Sequence, residues 1–152
     1  MGRLTATITG KFLAFDTSPF IYYIEQHPQY SPITEDLFAA IHQGNARGMT
    51  SVLTLLEVLV QPLRRGRLDL AQEYRRILTG STGITLFPID PDICELSAKL
   101  RSNYHWLRTP DAIQVAAALH NGAELIITND DRWKRLTEIQ VVHLGDFLEP
   151  QV

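Results

Sequence analysis

The sequence predicts an α/β fold, a three-layer α/β/α arrangement around a central parallel sheet of about five strands. Short apolar runs bounded by turn residues, "KFLAF" (11–15), "GMTSV" (48–52), "GITLFPI" (83–89), "AELIIT" (123–128) and "IQVVHL" (139–144), alternate with stretches of helical periodicity. Strands separated by helices need crossover connections, and these give a parallel sheet covered on both faces. The size agrees: 152 residues, 45% of them hydrophobic, suffice for one sizeable core, because a chain of this length buries roughly 70% of its extended surface. A single domain over residues 1–152 is therefore expected.

Each element has a local reason. "KFLAF" stops at Asp16 and gives way to Ser18-Pro19, a helix-start pair, so a helix is expected to about His27-Pro28. A second helix runs from about Ile33 to Gln43, with Ile33, Leu37, Phe38 and Ile41 on one face. After "GMTSV" comes "TLLEVLVQPL" (54–63), where Thr54 and Glu57 have capping-box spacing. From Asp69 to about Leu78, Leu70, Tyr74 and Ile77 or Leu78 fall in helical register. "GITLFPI" ends at Asp90-Pro91, and Asp92 is placed to cap "ICELSAKLRSNY". In "LRTPDAIQVAAAL" (107–119), Thr109 is the expected N-cap and Pro110 the first helical residue; the helix behind them is apolar and alanine-rich, with Gln114 its one polar member. Asn121-Gly122 stops that helix, and "DDRWKRL" turns back into a short one after the fourth strand.

Composition excludes several classes. Charged residues make up 20% of the chain and glycine plus proline number 17, which fits neither a disordered nor a collagen-like chain. Cys94 is the lone cysteine and has no disulfide partner. "MGRLTATITGK" lacks the apolar core of a signal peptide, Ala6 replaces the hydroxyl residue of a myristoylation motif, and no run approaches a bilayer span. The expectation is a cytoplasmic protein without membrane segments. The formal charge of −3 argues against a general nucleic-acid coat, although Arg64, Arg65, Arg67, Arg75 and Arg76 face only Asp69 and Glu73 in one local stretch. Such a stretch is more often a solvated surface than a phosphate site.

The placement of acids is the informative feature. Asp16 follows the first strand, Asp130 lies two residues beyond "ELIIT", and Glu57 and Asp111 occupy the first turns of helices. In a doubly wound sheet, strand ends and helix starts on the carboxyl edge share a crevice. Each acid also has an ordinary role: a cap, a dipole partner, or the start of an Asx-turn. Those roles do not explain a shared edge. Two carboxylates ~4 Å apart repel by roughly 4 kcal/mol at an effective dielectric near 20, so a cluster requires protons or cations. Hard oxygen donors favour Mg²⁺ or Mn²⁺ over zinc, and the five histidines show no ligand spacing.

The combination "FLAFDTSPFIYYI", "MTSVLTLLEVL", "LRTPDAIQVAAALHNGAELIITNDDRW" and the closing "VVHL" resembles the PIN-domain nucleases, in particular the VapC-like toxin ribonucleases of type II toxin-antitoxin systems. The likeness runs from about Phe12 to Leu144 and is strongest from Thr109 to Trp133. It implies a PIN-like fold and a metal-dependent endoribonuclease. Residue by residue, it implies that Asp16, Asp111 and Asp130 hold one or two Mg²⁺ or Mn²⁺ ions and that Glu57 binds metal directly or through water. Thr128 and Thr17 are their supporting hydroxyls. Asp131 competes with Asp130 for the fourth place, and the Thr-x-Asp spacing from Thr128 prefers Asp130. The implied reaction is attack of water on phosphorus, leaving a 5′-phosphate and a 3′-hydroxyl.

For the RNA strand, Arg64, Arg65, Arg67 and Arg108 are candidate phosphate contacts and Trp106 a candidate base platform; packing of Tyr104 and Trp106 against the domain is the stronger expectation for the aromatics. The resemblance further implies a homodimer and a small antitoxin protein that silences it. "FIYYI" and "TLLEVLVQPL" are apolar enough for an interface, and equally suited to a core. The alternatives are an RNA-processing PIN nuclease that is not a toxin, or a catalytically silent PIN-fold regulatory module. A receiver-like switch is disfavoured because "FDTSP" offers one acid and "VVHLGDF" no lysine; a haloacid-dehalogenase-type phosphatase is disfavoured because Ser18 stands where its second aspartate should be.

Overall fold

A computed structural model describes residues 2–149. Five strands, β1 (Phe12–Phe15), β2 (Arg47–Ser51), β3 (Ile84–Phe87), β4 (Leu125–Thr128) and β5 (Gln140–His143), form one sheet in the order β3-β2-β1-β4-β5. Every pairing is parallel. The helices are α1 (Arg3–Ile8), α2 (Ser18–Ile24), α3 (Ser31–His42), α4 (Val52–Arg64), α5 (Leu68–Gly80), α6 (Pro91–Asn103) and α7 (Thr109–His120), with 3-10 turns at Asp131–Arg135 and Leu144–Phe147.

Strand alternation sorts the side chains into two cores. Leu13 and Phe15 of β1, with Leu125 and Ile127 of β4, pack with buried residues from α1, α2, α3, α4 and α5. Ala14 and Ile126, one residue out of phase, pack with α6, α7 and Trp133. These are the two faces of a three-layer α/β/α sandwich, as the element order requires. On the second face α7 presents Ala112, Val115, Ala116, Ala117 and Ala118, all fully buried. Small side chains bring its backbone close to the sheet, which limits how its first turn can be placed. On the first face Gly48 leaves room for an aromatic ring: a Cβ there would stand 2.8 Å from Phe15 Cε2.

Four local expectations are corrected. The α4 cap is Ser51, whose hydroxyl accepts from Leu53 N at 3.2 Å; β2 runs into the helix without a loop, so Thr54 lies inside it and the Thr54–Glu57 capping box does not form. Asp90, rather than Asp92, caps α6 by accepting from Ile93 N at 2.9 Å. Thr109 is already helical, and α7 starts from extended Arg108 with no side-chain cap. The helix after β1 ends at Ile24, short of His27-Pro28, and Gln26 follows with φ of 53°. The sequence reading also overlooked α1, six residues with no side-chain cap whose Leu4 and Ile8 are buried; it is too short to show a period.

Candidate active site

The site begins with the strand order. From β1 the chain adds β2 and β3 on one side, then places β4 and β5 on the other, so the topology switches between β1 and β4. A crevice opens beyond the carboxyl ends of strands at such a point. Asp16 stands there. Its backbone N–H donates to Ile127 O at 2.9 Å, continuing the ladder one residue past β1. Oδ1 accepts from Thr17 N and Oδ2 from Thr128 Oγ1, both at 2.8 Å. Burial pushes the Asp16 carboxyl up to about 6; the two hydrogen bonds oppose the shift, and the charges of Asp111 and Glu57 add to it.

Glu57 comes from the second turn of α4 and is exposed. Its Oε1 accepts from Thr17 Oγ1 at 2.9 Å, so Thr17 joins Asp16 through its backbone to Glu57 through its side chain. Asp111 arrives from the first turn of α7. Its side chain is 15% exposed, and Oδ2 is buried without a hydrogen-bond partner. The nearest cations stop short, with Arg108 Nε at 3.6 Å and Arg132 Nη2 at 3.9 Å. Burial raises the Asp111 carboxyl most; Asp130 and Glu57 raise it further, against the pull of Arg108 and Arg132. Asp16 thus feels Asp111 and Glu57, and Asp111 feels Glu57 and Asp130, although the four acids belong to four different segments.

Asp130 and Asp131 are separated by orientation. Asp130 N donates to Thr128 Oγ1 at 3.1 Å, and Asp130 Oδ1 caps the 3-10 turn by accepting from Arg132 N at 3.0 Å. The Arg132 side chain forks onto the same carboxylate, Nε to Oδ1 at 3.0 Å and Nη2 to Oδ2 at 2.6 Å, and holds Asp130 below the usual carboxylate range. Asp131 turns away: its side chain is 84% exposed and its Oδ1 lies 3.1 Å from His143 Nε2 and 3.9 Å from Lys134 Nζ. It is not among the groups that shift Asp16 or Asp111.

Beneath the acids lies a buried polar chain that the sequence reading did not assemble. Ser51 Oγ donates to Gln114 Oε1 at 3.0 Å, Gln114 Nε2 donates to Thr54 Oγ1 at 2.8 Å, and Thr54 meets Thr50 Oγ1 at 2.7 Å. Thr50 Oγ1 also lies 3.0 Å from Phe15 O, which accepts from it. The chain therefore links β1, β2, α4 and α7, the segments that lead to Asp16, Glu57 and Asp111. Its one visible signal was Gln114, the polar residue on an otherwise apolar helix. Arg132 was also missed, although a cation two residues from Asp130 is plain in "NDDRW".

The remaining candidates are scattered. Arg64 ends α4, Arg65 follows it, and both are exposed; Arg67 is forked onto Asp69 through two 3.0 Å bonds. Arg108 stands at the mouth of the acid crevice beside Asp111. Trp106 is half-buried against the α6–α7 core with its ring 5.7 Å from Tyr104, and the Arg132 guanidinium lies 6.0 Å from its centroid. A separate exposed group, Asp90, Asp92 and His120, brings ligand atoms within 4.8 Å of one another and shares no residue with the crevice. No three of the four crevice acids approach that closely among the described residues.

The crevice donors nevertheless suit a hard divalent cation. They are all carboxylate oxygens, the Oδ2 of Asp111 is buried without a partner, and the charges nearest to it are two arginines held beyond hydrogen-bond distance.

A model of the PIN domain family matches residues 13–139. No curated protein matches the chain by sequence. Among solved structures, it is similar to VapBC2 from Rickettsia felis, bound to a DNA fragment from their promoter, with a TM-score of 0.71 at 15% identity, covering 87% of this chain and 98% of that one. A toxin-antitoxin complex from Klebsiella pneumoniae gives 0.68 at 25% identity over 87% and 97% of the two chains. VapC20 from Mycobacterium tuberculosis, a sarcin-ricin loop cleaving toxin, gives 0.65 at 20% identity over 84% and 98%.

Proposed function

Starting from the fact that the chain belongs to the PIN domain family, we propose that it is a Mg²⁺- or Mn²⁺-dependent endoribonuclease and the toxin of a toxin-antitoxin pair. The observation that carries this reading is the convergence of Asp16, Glu57, Asp111 and Asp130 at the β1/β4 switch point, two of them pushed toward protonation chiefly by burial. A cation that joins such acids offsets the shift and favours their ionised form.

Asp16, Asp111 and Asp130 would hold the metal, with Glu57 binding it directly or through water. A divalent ion supplies an acidified water and neutralises charge on phosphate oxygens. The chain's own residues supply position. Thr17 N and Thr128 Oγ1 fix the two oxygens of Asp16, Thr17 Oγ1 orients Glu57, and Thr128 Oγ1 receives the backbone N–H of Asp130. Arg108, exposed beside Asp111, is placed to meet a phosphate; Arg64 and Arg65 extend basic surface from the end of α4. Trp106 serves first in packing.

The partners follow from the same reading: RNA as substrate, a small antitoxin as inhibitor, a second copy of the chain, and a cytoplasmic setting. Among the described residues, no helix is long and apolar enough to cross a membrane. Val52, Leu56 and Leu63 leave an exposed apolar stripe along α4 at 37%, 61% and 48% exposure, a surface suited to a protein partner. "FIYYI" is instead drawn into the core.

Cleavage of total RNA, with and without EDTA, tests the chemistry. Wild type should cut only with Mg²⁺ or Mn²⁺, and Asp16→Asn and Asp111→Asn should abolish cutting; equal cleavage in all samples would sink the assignment. Overexpression tests the biology, and undisturbed growth without an antitoxin would favour RNA processing over toxicity.

A further inference from the structure

Arg132 has a relation to the acids that the nuclease reading leaves unused. It rises from the 3-10 turn that Asp130 caps, takes both oxygens of Asp130 in a fork of 3.0 and 2.6 Å, and extends the same Nη2 to within 3.9 Å of the orphaned Oδ2 of Asp111. One guanidinium thereby spans two carboxylates from different segments. We propose that Arg132 is a built-in counter-ion of the acid crevice, and that a divalent cation enters by displacing its guanidinium from Asp130. This inference rests on the metal-site reading above.

Three features favour exchange over a permanent ion pair. The Arg132 side chain is 41% exposed, so its exit is not blocked by burial. It has somewhere else to rest, since its guanidinium already lies 6.0 Å from the centroid of Trp106 and that indole is anchored in the α6–α7 core. And Asp130 cannot offer its in-plane lone pairs fully to a metal while a fork of two charge-assisted bonds holds them. The two cations compete for the same oxygens. The fork keeps Asp130 ionised and correctly aimed without metal, at the cost of weaker metal binding.

Competition has a direction that simple positioning lacks. If Arg132 only aimed Asp130 as a ligand, removing it would weaken metal binding; if it occupies the ligand, removing it strengthens binding. The test is calorimetric titration of Mn²⁺ into the metal-stripped full chain, comparing wild type with Arg132→Ala, Arg132→Lys and Arg135→Ala. Arg135 is the control: its guanidinium also lies over Trp106, at 5.9 Å, and it forms no ion pair among the described residues.

Arg132→Ala should bind Mn²⁺ about tenfold or more tightly than wild type, on the scale of charged hydrogen bonds. Arg132→Lys keeps a charge but loses the fork, so it should fall between; it also carries the test should the alanine variant not fold. Arg135→Ala should match wild type. Equal or weaker binding in both Arg132 variants overturns the proposal while leaving the metal site standing. If neither wild type nor the Arg132 variants bind Mn²⁺, both the proposal and the metal-dependent reading fall.

Discussion

Gln114 on α7 donates from Nε2 to Thr54 Oγ1 on α4 at 2.8 Å, and the contact is buried. The helix that brings Asp111 and the helix that brings Glu57 are thus joined by a side-chain hydrogen bond beneath their carboxylates. Gln114→Leu keeps most of the volume, leaves the buried Ser51 O–H without an acceptor and removes one of the two partners of Thr54 Oγ1. Leaving such groups unpaired costs about 1–3 kcal/mol, so a lower urea midpoint at unchanged slope is expected. An unaltered midpoint would show that the chain of hydroxyls does not hold the two helices.

Thr128 serves two acids through one hydroxyl, donating to Asp16 Oδ2 and accepting from Asp130 N. Thr128→Val removes both bonds with little change in shape. It should lower Mn²⁺ affinity by roughly tenfold to a hundredfold, as loss of a group that orients ligands typically does. The same titration run on Thr17→Val, which keeps the backbone bond to Asp16 but frees Glu57, should show a smaller loss.

The two adjacent aspartates should behave as differently as they point. Asp130→Asn should reduce metal-dependent cleavage by roughly a hundredfold or more, the scale for disturbing a ligand set, and Asp131→Asn should stay near wild type. Reversal of that order in a single-turnover assay would move the fourth acid to Asp131.

The contribution of Asp16 to stability in EDTA should fall as pH rises. Below about pH 4 the Asp16 carboxyl is protonated in folded and unfolded chains alike. Between that point and about 6, where burial has pushed the folded-state pKa, the unfolded chain ionises first. Unfolding then releases a proton, and the folded state loses up to about 3 kcal/mol, reached above pH 6. Asp111 is shifted in the same direction. Denaturation curves of wild type and Asp16→Asn should therefore diverge across this window in favour of the variant, and parallel curves would refute the burial argument.

What could be read in advance follows the range of the forces involved. Strand and helix order and the Asp16 and Asp111 edge positions rest on local pattern, and the fold retains them; the preference for Asp130 rests on the same kind of pattern and is decided by the two asparagine variants. The Thr54–Glu57 capping box failed because spacing cannot tell a helix start from a position inside the helix; Ser51, the last residue of β2, took the cap. Thr54 was then free to become a tertiary link to Gln114. Arg132 escaped notice because its effect depends on Asp111, which is 21 positions earlier in the sequence, coming within reach through the fold.

The buried face of α7, four of whose six residues are alanine, also decides how its contribution can be measured. Alanine scanning has nothing to remove at Ala112, Ala116, Ala117 or Ala118, and would report only Gln114 and Val115 from the buried face of the element that fixes Asp111. Enlargement is the informative perturbation: adding methyl groups there should wedge the helix off the sheet at about 1–3 kcal/mol per site. A mutational map built only from truncations would miss the surface on which Asp111's placement depends.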